Sequence, residues 1–183
     1  MSDRLQKRSK IHQKRFLKPY TAKIDFASND YLGYANNPIL KQRILNSIDS
    51  DKPFGATGSR LISGHNEKVE QLESQIAHFF EFPKALLFSS GFALNTCLLS
   101  SLSESKDCII ADEYIHASIK DGIKLAQASG YFFRHNDWQH LADKLKRLRL
   151  KHSGHIIIVV ESLYSMDGDV AKLSCLIELC ELY

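Results

Sequence analysis

The second part of this sequence alternates short apolar runs with longer segments of helical periodicity. Four short, mainly apolar runs, residues 85–88, 108–111, 131–134 and 156–160, have the length of strands, and the run at 156–160 also has the β-branched character of a buried strand. Each precedes a segment of about ten residues in which apolar side chains recur at helical spacing. Parallel strands need crossover connections of this kind, so the pattern predicts an α/β fold with a mostly parallel sheet flanked by helices.

Residues 1–64 show no such alternation and are expected to form a separate N-terminal segment. We predict a helix over residues 1–20, a short strand at 23–27 and a second helix at 38–48. Three glycines within residues 54–64 indicate an ordered loop with unusual backbone angles. The remaining residues, 65–183, begin with a helix that starts at Asn66, and they are expected to form the main domain.

Charge and hydropathy exclude several classes of partner. A net charge of +3 over 183 residues argues against a surface devoted to nucleic acid, and no apolar run is long enough to span a bilayer. The basic first twenty residues are best interpreted as a solvated helix, with a transit peptide or an arm for nucleic acid or membrane as alternatives. The four cysteines lie in apolar patterns without metal-binding spacing, which predicts buried, reduced thiols, no metal site and a cytoplasmic location.

Several polar residues follow the predicted strands, at the edge where α/β proteins bind ligands. Gly91 and Phe92 begin the helix after the first strand, where free backbone N–H groups can bind phosphate. His116 follows the second strand and could stack on a flat ligand, donate a proton or cap the next helix. Glu161 and Ser165 follow the fourth strand. Judged singly, each of these residues is better explained as part of an ordinary turn, cap or strand end than as a functional residue.

Six motifs taken together are far more specific than any one of them. They occur in the order Asn29–Gly33, Gly58–Gly64, Ser90–Phe92, His116–Ser118, His135–Asp137 and Ser165–Asp169. This series strongly resembles the α-oxoamine synthases, which are fold-type I pyridoxal-phosphate enzymes, from about residue 22 to the last residue. The resemblance implies part of an aspartate aminotransferase-like large domain, with pyridoxal 5′-phosphate as cofactor. A generic Rossmann-type nucleotide site is disfavoured because no G-x-G-x-x-G follows a strand.

The resemblance also implies roles for the residues at the sheet edge. Gly91 and Phe92 would hold the cofactor phosphate through backbone amides. His116 would stack on the pyridine ring as the catalytic residue of this part of the enzyme. Ser165 would hydrogen-bond the cofactor near its ring substituents, and Glu161 would support the cofactor site from behind.

Two further residues are implied at the substrate end of the site. Asn29 would lie near the bound substrate, and Arg15 would correspond to a substrate-contacting arginine, although the N-terminal match is poor. The family joins an amino acid to an acyl thioester with decarboxylation. The sequence of the Gly58–Gly64 motif most resembles that of the branch that uses L-alanine and a pimeloyl thioester in biotin synthesis. Other branches of the family remain alternatives. The resemblance also implies a homodimer, in which the loop at 55–64 would border the partner's site.

The resemblance finally implies that part of the catalytic machinery is absent from this sequence. The family's Schiff-base lysine, and the aspartate that pairs with the pyridine nitrogen, follow well after the Ser165–Asp169 motif. Lys172 lies only a few residues beyond that motif, and no lysine here has a matching context. We therefore expect the N-terminal part of a longer enzyme, inactive alone and with exposed strand edges. The alternative is a noncatalytic remnant that acts as an interaction module.

Overall fold

The computed structural model describes residues 2–12, 14, 17, 19, 24–48 and 55–183. These residues divide into two compact units, 1–64 and 65–183, which are treated separately below. In chain order the elements are α1 (Ser2–Lys10), α2 (Pro38–Ser47), α3 (Glu67–Phe79), α4 (Gly91–Leu102), β1 (Cys108–Asp112), α5 (Ala117–Leu125), β2 (Ser129–Phe133), α6 (Trp138–Arg149), β3 (Ile156–Val159) and α7 (Leu173–Leu182).

A parallel three-stranded sheet with the order β2-β1-β3 forms the centre of the second unit. Ile110 in β1 lies opposite Tyr131 on one side and Ile158 on the other. All five residues of β1 are buried, because this strand has a neighbour on each side and helices over both faces. The predicted α/β fold with a parallel sheet is confirmed.

The side chains of β1 alternate between the two faces of the sheet, as the pleat requires. Ile109 and Ala111 pack in one cluster with Ile119 and Ile123 of α5. Cys108 and Ile110 point to the other face. That face is covered by side chains of α6 and α7, namely Leu141, Leu145, Leu148, Leu176 and Leu179. The unit is therefore a three-layer structure.

The helices that follow β1 and β3 lie on opposite faces of the sheet. The chain leaves β1 toward α5 on one face, whereas it leaves the adjacent β3 toward α7 on the other. The connections therefore diverge at the carboxyl ends of two neighbouring strands. Such a divergence is the switch point at which open α/β sheets bind their ligands.

The predicted strand at 85–88 is wrong, since this segment has no strand geometry. The Leu87 N–H donates to the carboxylate of Glu73 at 2.7 Å, and Leu86 is 65% exposed. An extended segment becomes a strand only when another strand accepts its hydrogen bonds. None of the three strands in the described chain pairs with it. Helix α4 nevertheless begins at Gly91, as expected.

The first unit matches the sequence predictions only for its helices. Helix α2 is confirmed, whereas the helix predicted over residues 1–20 is found only at Ser2–Lys10. It is wrong for the described residues that follow, since residues 11 and 12 form a turn in which His12 has φ +56°. Residues 24–27 form bends, so the predicted strand is wrong there, and residue 23 lies outside the described residues. The Asp25 carboxylate accepts the N–H groups of Ala27 and Ser28 at 2.8 and 3.0 Å. Such local bonds compete with strand pairing.

The glycine-rich loop is ordered, but for a different reason from the one predicted. Within residues 55–64 no glycine has a positive φ, so the expected unusual backbone angles are not found. The Ser59 carbonyl accepts the N–H groups of Ile62, Ser63 and Gly64. A Cβ on Gly64 would lie 1.9 Å from the carbonyl oxygen of Gly58. Close approach of backbone to backbone, not a left-handed conformation, therefore requires glycine at this position.

The cysteines are all free, but they are not all buried. Cys108 in β1 is fully buried, whereas Cys97 and Cys180 are exposed and Cys175 is intermediate. The prediction of buried thiols is therefore wrong for Cys97 and Cys180, which lie on the outer faces of their helices. Among the described residues, no helix has both the length and the apolar character needed to cross a membrane.

Candidate functional site

Five of the residues singled out from the sequence lie in the second unit, in connections that follow strands or begin helices. They are Gly91, Phe92, His116, Glu161 and Ser165. Asn29 belongs to the first unit, where it is exposed in a loop. Arg15 lies outside the described residues.

The N-terminus of α4 has the features of an anion site. Ser90 caps the helix, since its Oγ accepts the Ala93 N–H at 3.1 Å and its carbonyl accepts the Leu94 N–H at 3.0 Å. The N–H groups of Gly91 and Phe92 have no acceptor among the described residues. A Cβ on Gly91 would meet no heavy atom within 4 Å, so a ligand can approach the backbone here. The donor set therefore suits a phosphate.

His116 is the N-cap residue of α5, so the capping role considered from the sequence is the one found. Its Nδ1 accepts the Ser118 N–H at 3.2 Å and lies 2.7 Å from the Ser118 Oγ. The Asn95 side chain donates to the same hydroxyl at 2.9 Å. Because capping uses only Nδ1, it leaves Nε2 and the ring faces free of that task. His116 as a whole is exposed.

Glu161 connects the loop after β3 with the loop after β1. Its carboxylate accepts the backbone N–H of His116. The two loops on either side of the switch point are therefore joined by a bond between two residues that the sequence assigned to one site. This contact fixes the start of α5, where the imidazole of His116 is attached.

Ser165 lies exposed in the turn of a small hairpin after β3. Leu163 and Val170 form an antiparallel bridge, and the Tyr164 N–H donates to the Asp169 carbonyl at 2.9 Å. Gly168 has φ +81°, a conformation that disfavours any side chain. The hairpin thus gives the Ser165 loop a defined backbone.

An ionic cluster around His135 was not predicted, although His135–Asp137 was one of the six motifs. The Nδ1 of His135 lies 2.9 Å from the buried carboxylate of Asp112, at the end of β1. Its Nε2 lies 3.2 Å from Asp167 and 3.6 Å from Asp169, both in the hairpin. The Tyr114 ring stacks on the imidazole with centroids 4.4 Å apart. His135 therefore holds together the loops that follow three neighbouring strands.

The charge state of His135 follows from these contacts. Burial alone lowers the pKa of this imidazole, but the hydrogen bond to Asp112 and the charges of Asp112, Asp167 and Asp169 outweigh it, so the pKa is raised above 6.5. Both ring nitrogens face carboxylates, an arrangement that favours the protonated imidazole. For the neighbouring Tyr164, burial also disfavours the charged form, and it therefore raises the pKa of this phenol to about 12.

One signal in the sequence could have drawn attention to this cluster. Asp112 directly follows an apolar strand, and a carboxylate that is buried at such a place needs a partner. His135 directly follows the end of the next predicted strand, at 131–134. Because parallel neighbouring strands end at the same edge of a sheet, these two residues are expected to lie close together. The contacts from the later hairpin depend instead on the conformations of the loops after all three strands.

Comparison with known proteins gives a consistent result. Residues 21–183 match the family model of class I and II aminotransferases. A protein of Haemophilus influenzae with the provisional name 8-amino-7-oxononanoate synthase is 39% identical over 171 residues, which are 92% of this chain and 45% of that protein. A Trichodesmium erythraeum protein with the same provisional name is 42% identical over 162 residues, which are 87% of this chain and 40% of that protein.

Solved structures give the same relationship. A serine palmitoyltransferase from Sphingomonas wittichii superposes with a TM-score of 0.72 at 32% identity, over 83% of this chain and 37% of that one. An 8-amino-7-oxononanoate synthase from Francisella tularensis superposes with a TM-score of 0.65 at 35% identity, over 85% and 42%. The chain thus spans less than half the length of these relatives. It belongs to the class I and II aminotransferase family of pyridoxal-phosphate enzymes, and within that family to the α-oxoamine synthases.

Proposed function

We propose that this chain is the N-terminal part of an 8-amino-7-oxononanoate synthase. The complete enzyme would condense L-alanine with pimeloyl-CoA or a pimeloyl-carrier protein, with loss of carbon dioxide, in biotin synthesis. The observation that carries this proposal is the switch point between β1 and β3, where His116 and Glu161 meet. The provisional names of the sequence relatives support the choice of branch.

The residues present fit pyridoxal phosphate by their chemistry. The backbone N–H groups of Gly91 and Phe92 would bind the phosphate, because neither has an acceptor among the described residues and a Cβ on Gly91 would meet no heavy atom within 4 Å. The imidazole of His116 would stack on the pyridine ring, and the hydroxyl of Ser165 would hydrogen-bond a ring substituent. When bound, the cofactor supplies an electron-accepting ring that stabilises negative charge on the amino-acid Cα.

The residues of this chain would then bind and orient rather than carry out the covalent step. Glu161 holds the backbone of His116, so the ring is attached at a fixed point of the sheet edge. A flat imidazole held at this point would restrict the orientation of the bound amino acid. We assign Asn29 and Arg15 to the substrate end of the complete site.

The Schiff-base lysine that would hold the cofactor is expected to lie in polypeptide outside these 183 residues. Lys172 immediately precedes α7, a few residues after the hairpin, and no lysine here has the family's sequence context. We therefore propose that the chain alone has no turnover. We also propose that the complete enzyme is a cytoplasmic homodimer, in keeping with four free cysteines.

A split-enzyme experiment tests the proposal. The chain is co-expressed with the part of the Haemophilus influenzae relative that follows its aligned segment, in a bacterium that lacks its own 8-amino-7-oxononanoate synthase. We expect growth without biotin and, in the purified complex, product of the correct mass from L-alanine and pimeloyl-CoA. Neither is expected from the chain alone.

Two controls make the outcome decisive. The relative's own N-terminal segment, co-expressed with the same C-terminal part, establishes that the split enzyme can reassemble. A His116→Gln chain in the complex should assemble but lose most of its turnover. Reassembly of the relative without any product from our chain would reject the enzyme assignment. Co-purification without turnover would instead favour the noncatalytic interaction module.

A further inference from the structure

Two polar groups of Ser118 lie within hydrogen-bond distance of a single nitrogen of the His116 imidazole. The Ser118 N–H points at Nδ1 from 3.2 Å, and the Ser118 hydroxyl oxygen lies 2.7 Å from the same atom. The Asn95 side-chain amide approaches that hydroxyl at 2.9 Å. These three residues form a chain of hydrogen bonds that ends on His116.

The direction of every hydrogen bond among these three residues follows from one group, the backbone N–H of Ser118. A backbone N–H can only donate, so the Nδ1 that it faces must carry a lone pair rather than a proton. The Ser118 hydroxyl must then donate to Nδ1 as well. Its oxygen remains free to accept, which requires the Asn95 amide to present its NH2 group. A neutral His116 arranged in this way carries its proton on Nε2.

The surroundings of these hydrogen bonds make the arrangement rigid. Ser118 is fully buried, so water does not compete for its hydroxyl. Asn95 lies on α4, one turn after Gly91, while Ser118 lies on α5. The two helices approach closely at Gly122, where a Cβ would lie 2.4 Å from the Asn95 carbonyl oxygen. The helix that presents Gly91 is thereby linked to the ring of His116.

We propose that Ser118 and Asn95 are positioning residues that hold the His116 imidazole in the Nε2–H tautomer and in a single orientation. The proton then lies on the side of the ring away from α5. This inference deepens the proposed function, because it concerns the residue assigned there to the cofactor ring. The tautomer itself is a property of this chain and can be measured without cofactor.

The test is a long-range ¹H–¹⁵N correlation experiment on the histidine-labelled chain of 183 residues, with the His116 signals identified in a His116→Gln variant. We expect an unprotonated Nδ1 and a protonated Nε2 at neutral pH, with a smaller Nδ1–H fraction than for the exposed His78. In Ser118→Ala the Nδ1–H fraction should rise about 2- to 10-fold, the effect of losing one hydrogen bond. Ser118→Cys keeps a weak donor of similar size, so its Nδ1–H fraction should lie between those of the wild type and Ser118→Ala.

Asn95→Asp is the matched control, because it conserves volume but reverses one bond. The carboxylate would accept the Ser118 proton, so the Nδ1–H fraction should rise as in Ser118→Ala. A wild-type His116 with its proton on Nδ1, or with the same tautomer mixture as His78, would overturn the proposal even if every variant failed to fold. An unchanged tautomer in a folded Ser118→Ala or Asn95→Asp chain would also overturn it. Failure of the split enzyme with the expected tautomer would reject only the proposed function.

Discussion

Helix α2 in the first unit and strand β1 in the second show what local sequence can and cannot determine. Asn37 accepts the Leu40 N–H at 2.9 Å and Pro38 occupies the first turn, so the start of α2 is fixed within a few residues. Yet α2 has no buried residue, and Ile44 remains 53% exposed. By contrast, β1 is wholly buried between partners that come from later in the chain. Local signals form the element, but only neighbours bury it.

Truncation of an apolar side chain should therefore have very different effects in the two units. Leu141→Ala removes a fully buried side chain from the core between the sheet and α6, and we expect a loss of about 2–5 kcal/mol in the free energy of unfolding. Ile44→Ala in α2 should change it by less than about 1 kcal/mol. Urea unfolding followed by Trp138, the only tryptophan and part of α6, reports the second unit, and circular dichroism reports both.

Equal effects of the two substitutions would contradict this comparison. A large effect of Ile44→Ala would mean that α2 packs against a surface in solution. The slope of the unfolding free energy against urea should stay constant in Leu141→Ala if only stability has changed.

Two aspartates that bind backbone N–H groups extend the comparison to polar side chains. Asp112 is buried and accepts the N–H groups of Tyr114 at 2.8 Å and Asn136 at 2.9 Å. Asp30 is exposed and accepts those of Tyr34 and Ala35 at 2.8 and 3.1 Å. We expect Asp112→Asn to cost about 1–3 kcal/mol, because its new NH2 group would face buried donors.

Asp30→Asn should cost about 0.5 kcal/mol or less, since water can replace the lost acceptor. Thermal unfolding by circular dichroism measures both variants under the same conditions. If Asp112→Asn proved as mild as Asp30→Asn, the ion cluster at the sheet edge would not contribute to stability.

The same contrast explains which features could be predicted from the sequence. Helical periodicity and capping residues predicted helices in both units, and apolar runs predicted the three strands that find partners. The runs at 85–88 and 23–27 have similar local character, but the described residues of both lack strand geometry. The first lacks a neighbouring strand in the described chain, and in the second the side chain of Asp25 captures the backbone N–H groups.

The candidate site was predictable to the same extent. The rule that ligands bind at the ends of parallel strands put His116 and Glu161 at one edge of the sheet, and the six motifs together selected them as site residues. The structure joins the two residues. Neither the hydrogen bonds between Ser118 and His116 nor the contacts of the later hairpin with His135 could be predicted. Both depend on distances between side chains from different elements, which spacing along the sequence does not determine.

The pH dependence of stability offers a finer test of the cluster. Because the pKa of folded His135 is raised above the unfolded value of 6.5, its protonation stabilises the folded state. That contribution is fully present below pH 6.5 and is lost as pH rises through the folded pKa. Unfolding free energies measured across this window should therefore fall more steeply for the wild type than for His135→Gln.

His78→Gln, which alters an exposed histidine on α3, serves as the control for the loss of a histidine outside the cluster. A His135→Gln profile parallel to the wild type would show that the imidazole is not charged in the cluster. Asp167→Asn and Asp169→Asn should each weaken the dependence in part, since each removes one of the charges that raise the pKa.

Two glycines, one in each unit, are expected to have small effects on stability. Gly33 has φ +68°, so Gly33→Ala places a side chain in the left-handed region and should cost about 1 kcal/mol by thermal unfolding. Gly91 lies in the first turn of α4 with open space around it, so Gly91→Ala should be neutral or stabilise by up to about 1 kcal/mol. In the proposed phosphate site the same added methyl group would lie where the phosphate approaches the backbone. Pyridoxal phosphate should then bind the split enzyme more weakly, as measured by fluorescence titration. A Gly91→Ala protein that binds the cofactor as well as the wild type would remove Gly91 from the phosphate site without disturbing the fold.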